Sequence, residues 1–415
     1  MEEKIKSVKE ILQRYGQEHL LSNFENLSEE KKEELLNEIL QINFEQMKKL
    51  YENVGKNVED SNVKIEPISY VEKAIIKEEK KYFEKGAKTL KENKLAVVTM
   101  AGGQGTRLGH NGPKGTFYLN VCSGKKSIFE LLCDTLKSAN EKYGISIPWY
   151  IMTSRENNGD TVSFFEENNY FNYNKEDIKF FVQGELPMLS TSGKVLLNED
   201  GTIKLAADGH GGVFESMFKN GVVEDMKTRN IEWVFVGPVD NPLVGMVDEV
   251  LIGLSEEQNS MSAGKSVVKA NPSEKVGVFC LKNGKPSVVE YTEISDEMAN
   301  RLDENGGLAF GESHINCNMF NIKGIEKIGA EKLPYHVAFK KATYMDENGE
   351  IIKPTEPNAY KFESFIFDAF EKLDNMTILR VKREEEFAPV KNAEGVDSPQ
   401  TAIELYNNYH KNNNC

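Results

Sequence analysis

The chain has 415 residues, 39% hydrophobic and 28% charged, enough for one large domain or two to three smaller ones around a substantial core. A formal net charge of −15 argues against nucleic acid or anionic membrane as a partner, since both need basic surface. No apolar run approaches the roughly 18 residues of a membrane span, and Met1-Glu2-Glu3-Lys4 is polar where a secretory signal would be apolar.

The cysteines, Cys122, Cys133, Cys280, Cys317 and Cys415, are scattered and form no Cys-x-x-Cys pair. Neither a disulfide framework nor a zinc site is suggested, and the reading is a cytoplasmic protein with reduced thiols.

The first ~85 residues carry helical periodicity. Ser28 is a candidate N-cap with acidic residues following it, and Leu35, Ile39, Ile42 and Phe44 fall mostly on one face. A second charged helix is expected around Val71 to Glu92. Residues 1–88 therefore read as a helical region docked on a larger domain over 89–410.

From position 93 strands alternate with helical stretches. Leu95-Ala-Val-Val-Thr-Met, Ile147-Pro-Trp-Tyr-Ile-Met and Ile231-Glu-Trp-Val-Phe-Val are apolar runs of the kind that form buried parallel strands. The rhythm predicts an α/β, doubly wound, Rossmann-like sheet whose ligands bind beyond the C-terminal strand ends. Shorter strands near Ser266–Lys269, Val276–Cys280 and Val288–Tyr291 predict an inserted mixed-sheet portion.

Directly after the first strand comes Ala101-Gly102-Gly103-Gln-Gly105-Thr-Arg107-Leu-Gly109. Its glycines let the backbone approach a ligand and expose amide N–H groups, an anion-binding nest. A dinucleotide fingerprint would need glycine where Leu108 sits, and a Walker loop ending at Gly264-Lys265-Ser266 would need it at Asn259. Gly112-Pro113-Lys114-Gly115 follows, so Lys114 adds a second cation to Arg107 beside the nest. A triphosphate asks for this set, because charge shifts onto departing pyrophosphate as the bond to the α-phosphorus breaks. Asp240 sits where the third buried run ends, and a hard carboxylate oxygen there suits Mg²⁺.

The glycine loop and Pro113-Lys-Gly resemble the signature of the UDP-sugar pyrophosphorylase family, and within it the UDP-N-acetylglucosamine enzymes. The resemblance spans about residues 30 to 405 through further segments: Phe181-Val-Gln183-Gly-Glu-Leu-Pro187, Asp208-Gly209-His210-Gly211-Gly212, Val239-Asp240-Asn241, Lys269 to Gly277, Tyr335 to Lys341, Pro357 to Glu363 and Glu386 to Asn392. It implies a nucleotidyltransferase that joins UTP to a sugar-1-phosphate with Mg²⁺ as cofactor. In that implication Gly102 and Gly103 face uridine and phosphates by backbone. Lys114 holds the phosphates and Arg107 the departing pyrophosphate. Gln183 and the backbone at Gly209 meet the uracil, and Lys361, at the start of an expected amphipathic helix, contacts UTP. Asp240 holds the metal, Glu274 the sugar hydroxyls and Lys391 the sugar-bound phosphate.

Two positions depart from the N-acetylglucosamine pattern. His210 replaces the Asn of Asp-Gly-Asn-Gly-Gly, resembling the Gly-His-Gly of the UDP-glucose enzymes, and Ser313-His314-Ile315-Asn316 replaces a Gly-Asn-Ile. His210 and His314 are both expected to touch the sugar, which leaves N-acetylglucosamine-, glucose- and galactose-1-phosphate open as acceptors. A glycosyltransferase would usually show Asp-x-Asp, which is missing. A non-catalytic nucleotide-binding module would be expected to have lost Arg107, Lys114, Asp240 or Lys391, and all are present.

Overall fold

The computed structural model describes residues 1–56, 63–76 and 79–411. The chain folds as two compact units whose bounds differ from the expected division at residue 88. One comprises Met1–Ser61, Gly184–Gly212 and Leu333–Phe365; the other comprises Asn62–Gln183, Val213–Lys332 and Ile366–Cys415.

The larger unit is built on a mixed sheet. Its main strands are β1 Val71–Glu72, β2 Leu95–Met100, β3 Trp149–Thr153, β4 Ile178–Val182, β5 Trp233–Pro238, β6 Ser262–Val268, β7 Glu312–Asn321 and β8 Met376–Arg380. They lie in the order β1-β8-β6-β7-β5-β2-β3-β4. Only β7 runs antiparallel to its neighbours β5 and β6; the other pairs along this path are parallel. Every residue of β2 and β3 is buried, as strands covered on both faces must be. The α/β class and the mixed sheet are thus as the sequence predicts.

Several boundaries differ from expectation, each for a local reason. Val71–Glu72 pairs with β8 at the sheet edge, so the expected helix from Val71 begins only at Glu79 and runs to Lys91; residues 77 and 78 lie outside the described residues. The stretch Ser266–Lys269 joins the main sheet through β6, whereas Val278–Lys282 and Lys285–Val289 form a hairpin attached to β7 at Ser313. Lys361 lies on the strand Ala359–Glu363, not a helix, because that segment pairs antiparallel with His336–Lys340.

In the smaller unit Ser28 does cap the helix Glu29–Gln41, its hydroxyl accepting from Lys31 N. That helix stops before Asn43, which caps Phe44–Glu52, so Ile42 and Phe44 do not extend its face. Leu35, Leu36 and Ile39 share a core with Leu189, Val195, Ile203, Met345 and Phe362, residues drawn from all three segments of the unit.

In the larger unit the helices Glu79–Lys91 and Glu249–Glu257 approach backbone to backbone. A Cβ on Gly253 would stand 1.9 Å from the carbonyl oxygen of Tyr82. Because neither backbone can yield cheaply, Gly253→Ala is expected to cost about 2–3 kcal/mol of unfolding free energy in denaturant titration. A change below about 0.5 kcal/mol would contradict the close approach.

Candidate active site

The glycine loop leaves β2 at Met100 and is fixed by buried backbone bonds. Ala101 N donates to Met152 O at 2.7 Å, and Lys114 N donates to Gly103 O at 3.0 Å. Asn157, fully buried just past β3, donates its amide to Ala101 O at 3.0 Å and to Gly103 O at 3.4 Å. Its own oxygen accepts from Ser154 N at 2.8 Å. The loop's carbonyls are thereby turned onto protein donors, and Gly103 and Arg107 stay exposed. Gly102 runs close to Gln183: a Cβ there would lie 2.8 Å from Gln183 Oε1, so that side chain would have to move. That contact brings Gln183, anchored by its N–H to Thr153 O at 2.8 Å, against the loop.

His110 closes the loop, its backbone N–H donating to Gly105 O at 3.1 Å. The Thr116 hydroxyl gives its one hydrogen to Pro113 O at 2.8 Å, so His110 Nε2, 2.7 Å away, is the donor to Thr116. Lys114 is held in this frame with Nζ 3.3 Å from Asp240 Oδ2. Arg107 has no hydrogen-bond or ion-pair partner among the described residues, which leaves its guanidinium available to a ligand.

Asp240 follows β5, and its backbone oxygen accepts from Val390 N at 2.8 Å. Asn241, 1% exposed, donates to Glu386 O at 2.8 Å and accepts from Ala388 N at 2.9 Å. These bonds lay the segment 386–390 beside the end of β5 and deliver Lys391 there. Lys391 N donates to Asp397 O at 2.7 Å, and its Nζ stands 3.9 Å from Asp397 Oδ2. Burial pushes the Asp397 carboxyl up, against the pull of Lys391 and with a further push from Asp240. Glu274 accepts at both oxygens from Arg383, at 2.8 and 3.0 Å, and from Ala270 N at 2.6 Å.

Within the larger unit the structure therefore brings Gly102 to Gln183, Lys114 to Asp240, and Lys391 and Glu274 to one short segment. Asn157, Asn241, Arg383 and Asp397 were not singled out from the sequence. Buried asparagines just past buried strands were the available signal.

His314 finds different surroundings from those expected. Its ring meets Phe279, Phe367 and Phe370 nearly edge-on, at centroid distances of 4.9, 6.1 and 6.0 Å, and Nε2 donates to Asn318 Oδ1 at 3.0 Å. The residue as a whole stays half-buried.

Gly209, His210 and Lys361 belong to the smaller unit. Gly209 has φ +87°, and a Cβ there would lie 2.2 Å from Ser364 O, so backbone alone is presented. The His210 and His336 rings both lie tilted against Phe365, at centroid distances of 5.4 and 4.8 Å. Lys361 Nζ pairs with Glu363 Oε1 at 2.7 Å.

No three His, Cys, Asp or Glu side chains gather into a resident metal set among the described residues. Asp240 offers one hard oxygen, and Mg²⁺ is commonly held by one or two carboxylates together with substrate phosphates and water. The donor set fits an ion that arrives with a triphosphate. Of the five thiols, Cys133, Cys280 and Cys317 are free, and burial pushes each up to about 12. Cys415 lies outside the described residues.

Comparison with known proteins bears on the reaction. The model of the family described as UTP–glucose-1-phosphate uridylyltransferase matches residues 42–397. The UDP-N-acetylhexosamine pyrophosphorylase-like protein 1 of Homo sapiens is 36% identical over 95% of this chain and 82% of that protein. The UDP-N-acetylglucosamine pyrophosphorylase of Saccharomyces cerevisiae is 36% identical over 96% of this chain and 88% of that protein. Among solved structures, the UDP-N-acetylglucosamine pyrophosphorylase of Trypanosoma brucei superposes with a TM-score of 0.82 at 28% identity, covering 98% of this chain and 84% of that one.

The His314 environment makes a pH prediction. Burial pushes its imidazole down to about 4 from the ordinary 6.5, with the Asn318 hydrogen bond opposing. Between those values the unfolded chain holds a proton at 314 that the folded chain lacks, so stability falls as pH drops from 6.5 to 4. In denaturant titrations His314→Gln is expected to lose less stability than the parent over that window, by on the order of 1–3 kcal/mol. Equal losses would contradict a neutral, core-packed ring.

Proposed function

This chain belongs to the UTP–glucose-1-phosphate uridylyltransferase family, and from its relatives we propose that its acceptor is N-acetylglucosamine-1-phosphate. The chain is a uridylyltransferase: it joins UTP to a sugar-1-phosphate, giving a UDP-sugar and pyrophosphate. The choice of sugar rests on relatives named for N-acetylglucosamine that match at 36% identity over nearly the whole chain.

The observation that carries the mechanism is the glycine loop at the end of buried β2, with Lys114 3.3 Å from Asp240 and Arg107 exposed beside it. A sugar-phosphate oxygen attacks the α-phosphorus of UTP. The new P–O bond forms as the bond to the bridging oxygen of pyrophosphate breaks, and that electron pair leaves with pyrophosphate. A phosphate monoester is nucleophilic at neutral pH, so no general base is needed. Backbone N–H groups at Gly102 and Gly103 hold the phosphates, and Lys114 and Arg107 receive the charge that builds on the leaving group. Gln183 hydrogen-bonds the uracil edge. Lys391 holds the acceptor phosphate in line, and Glu274, fixed by Arg383, takes the sugar hydroxyls. Asp240 would hold a Mg²⁺, which when bound neutralises phosphate charge. We place the enzyme in the cytoplasm. No helix of the described residues is long and apolar enough to cross a membrane.

The test is pyrophosphate release with UTP and Mg²⁺, across N-acetylglucosamine-, N-acetylgalactosamine-, glucose- and galactose-1-phosphate. Release strongest with N-acetylglucosamine-1-phosphate is expected, and release confined to glucose-1-phosphate would overturn the choice of acceptor. In the same assay Lys114→Ala and Arg107→Ala are each expected to lower turnover by roughly 10²–10³. Near-normal turnover in both would remove them from the phosphate site.

A further inference from the structure

One short segment, Arg383 to Lys391, carries or orients both groups assigned above to the sugar-1-phosphate. At its start Arg383 holds Glu274 at both oxygens and donates to Val268 O at 3.2 Å. At its end stands Lys391. The two cations flank one ring, with the Arg383 guanidinium 5.3 Å and the Lys391 ammonium 5.6 Å from the centroid of Phe387.

The middle of this strap is held by a buried ion cluster that the mechanism does not use. Glu386 Oε2 meets Lys265 Nζ at 2.7 Å. Lys265, 1% exposed on β6, spends its other donors on Gly245 O at 2.9 Å and Asp248 Oδ2 at 2.8 Å. Asp248 in turn caps the helix Glu249–Glu257, accepting from Val250 N and Leu251 N, and pairs with Lys73 at 2.9 Å. All three hydrogens of a buried ammonium are thus satisfied, in a fixed direction. Burial works against charge on Lys265, yet Asp248 and Glu386 outweigh it and hold its pKa above the ordinary value.

Phe387, Ala388 and Val390 of the strap are buried in the apolar core, but the side that carries Glu385 and Glu386 is not closely packed. Cavities of about 480 Å³ and 750 Å³ lie against the strap, and Glu385 and Glu386 line both. A buried ion pair adds little net stability over apolar packing, but it selects one geometry. Here the geometry selected is the path of the strap, 5 residues before Lys391 and 3 after Arg383.

We infer that Glu386, held by buried Lys265, is a positioning residue for the acceptor: it sets the strap so that Lys391 and the Arg383–Glu274 pair meet the sugar-1-phosphate. The inference rests on the assignment of Lys391 made above. Gly102, Gly103 and Gln183 hang instead from the glycine loop, Asn157 and β3, so they do not depend on this anchor.

The test compares Glu386→Gln, which keeps an acceptor for Lys265 but removes the charge, with the double variant Lys265→Met/Glu386→Leu. The double variant replaces the pair by apolar groups of similar size and so guards against failure to fold. Steady-state kinetics with UTP and N-acetylglucosamine-1-phosphate are read alongside melting temperature. Both variants are expected to raise KM for the sugar phosphate about tenfold or more, with KM for UTP within about twofold of the parent. A merely structural role would lower melting temperature or turnover and leave both KM values alone, and that result overturns the inference. Lys391→Ala is run in parallel to separate the two claims. If it raises KM for the sugar phosphate while the Glu386 variants do not, the anchor is wrong. If it leaves that KM unchanged, the assignment of Lys391 itself falls, and the inference with it.

Discussion

Asp240 and Asn241, just past the buried strand β5, bond at three points to a segment some 145 residues further along the chain. Asn241 uses its amide hydrogen on Glu386 O and its oxygen on Ala388 N, and Asp240 offers its backbone oxygen to Val390 N. An asparagine is suited to this, since one planar group supplies both a donor and an acceptor. Because Asn241 is buried, leaving either bond unmade would carry a desolvation cost of about 1–3 kcal/mol. The Asp240 carboxylate is left free of that structural duty and points its charge at Lys114. The end of β5 therefore sets where Asp240, its partner Lys114 and the segment leading to Lys391 stand.

The electrostatics solve a problem posed by composition. A chain with net charge −15 must gather a triphosphate and a sugar phosphate. The cations proposed for that task already have carboxylate neighbours. Lys114 rests on Asp240 and Lys391 lies near Asp397. With those carboxylates beside them, neither lysine is a bare cation in a low-dielectric pocket. Arg107 is the exception, and its exposure to solvent makes a lone guanidinium inexpensive.

The parts of the site that a contiguous stretch encodes were legible in the sequence. The buried run of β2, the glycines after it and Pro113-Lys114 are read from neighbours in the chain, and the structure places them together. Parts that depend on distant pairing were not. Lys361 looked like a helix residue because Phe365, Phe367 and Phe370 follow it, yet pairing with His336–Lys340 decides for a strand. Lys265 attracted notice only as a failed Walker lysine, and its role as a buried cation becomes visible once Asp248 and Glu386 converge on it. The smaller unit draws on three separated segments, which no window of local periodicity can join. The phenyl rings that His314 meets come from residues 279, 367 and 370, which no local window around position 314 shows.

What the larger unit brings together beside the glycine loop is positive charge, and its free thiols are buried and pushed up to about 12, which suits none of them to form a covalent intermediate. The account therefore stands on a single in-line displacement at the α-phosphorus. The most direct measurement is the stereochemical course with UTP made chiral by sulfur at that phosphorus, read by phosphorus NMR of the UDP-sugar. One displacement predicts inversion. Retention would mean two displacements through an enzyme-bound uridylyl group, and would contradict catalysis by charge and position alone.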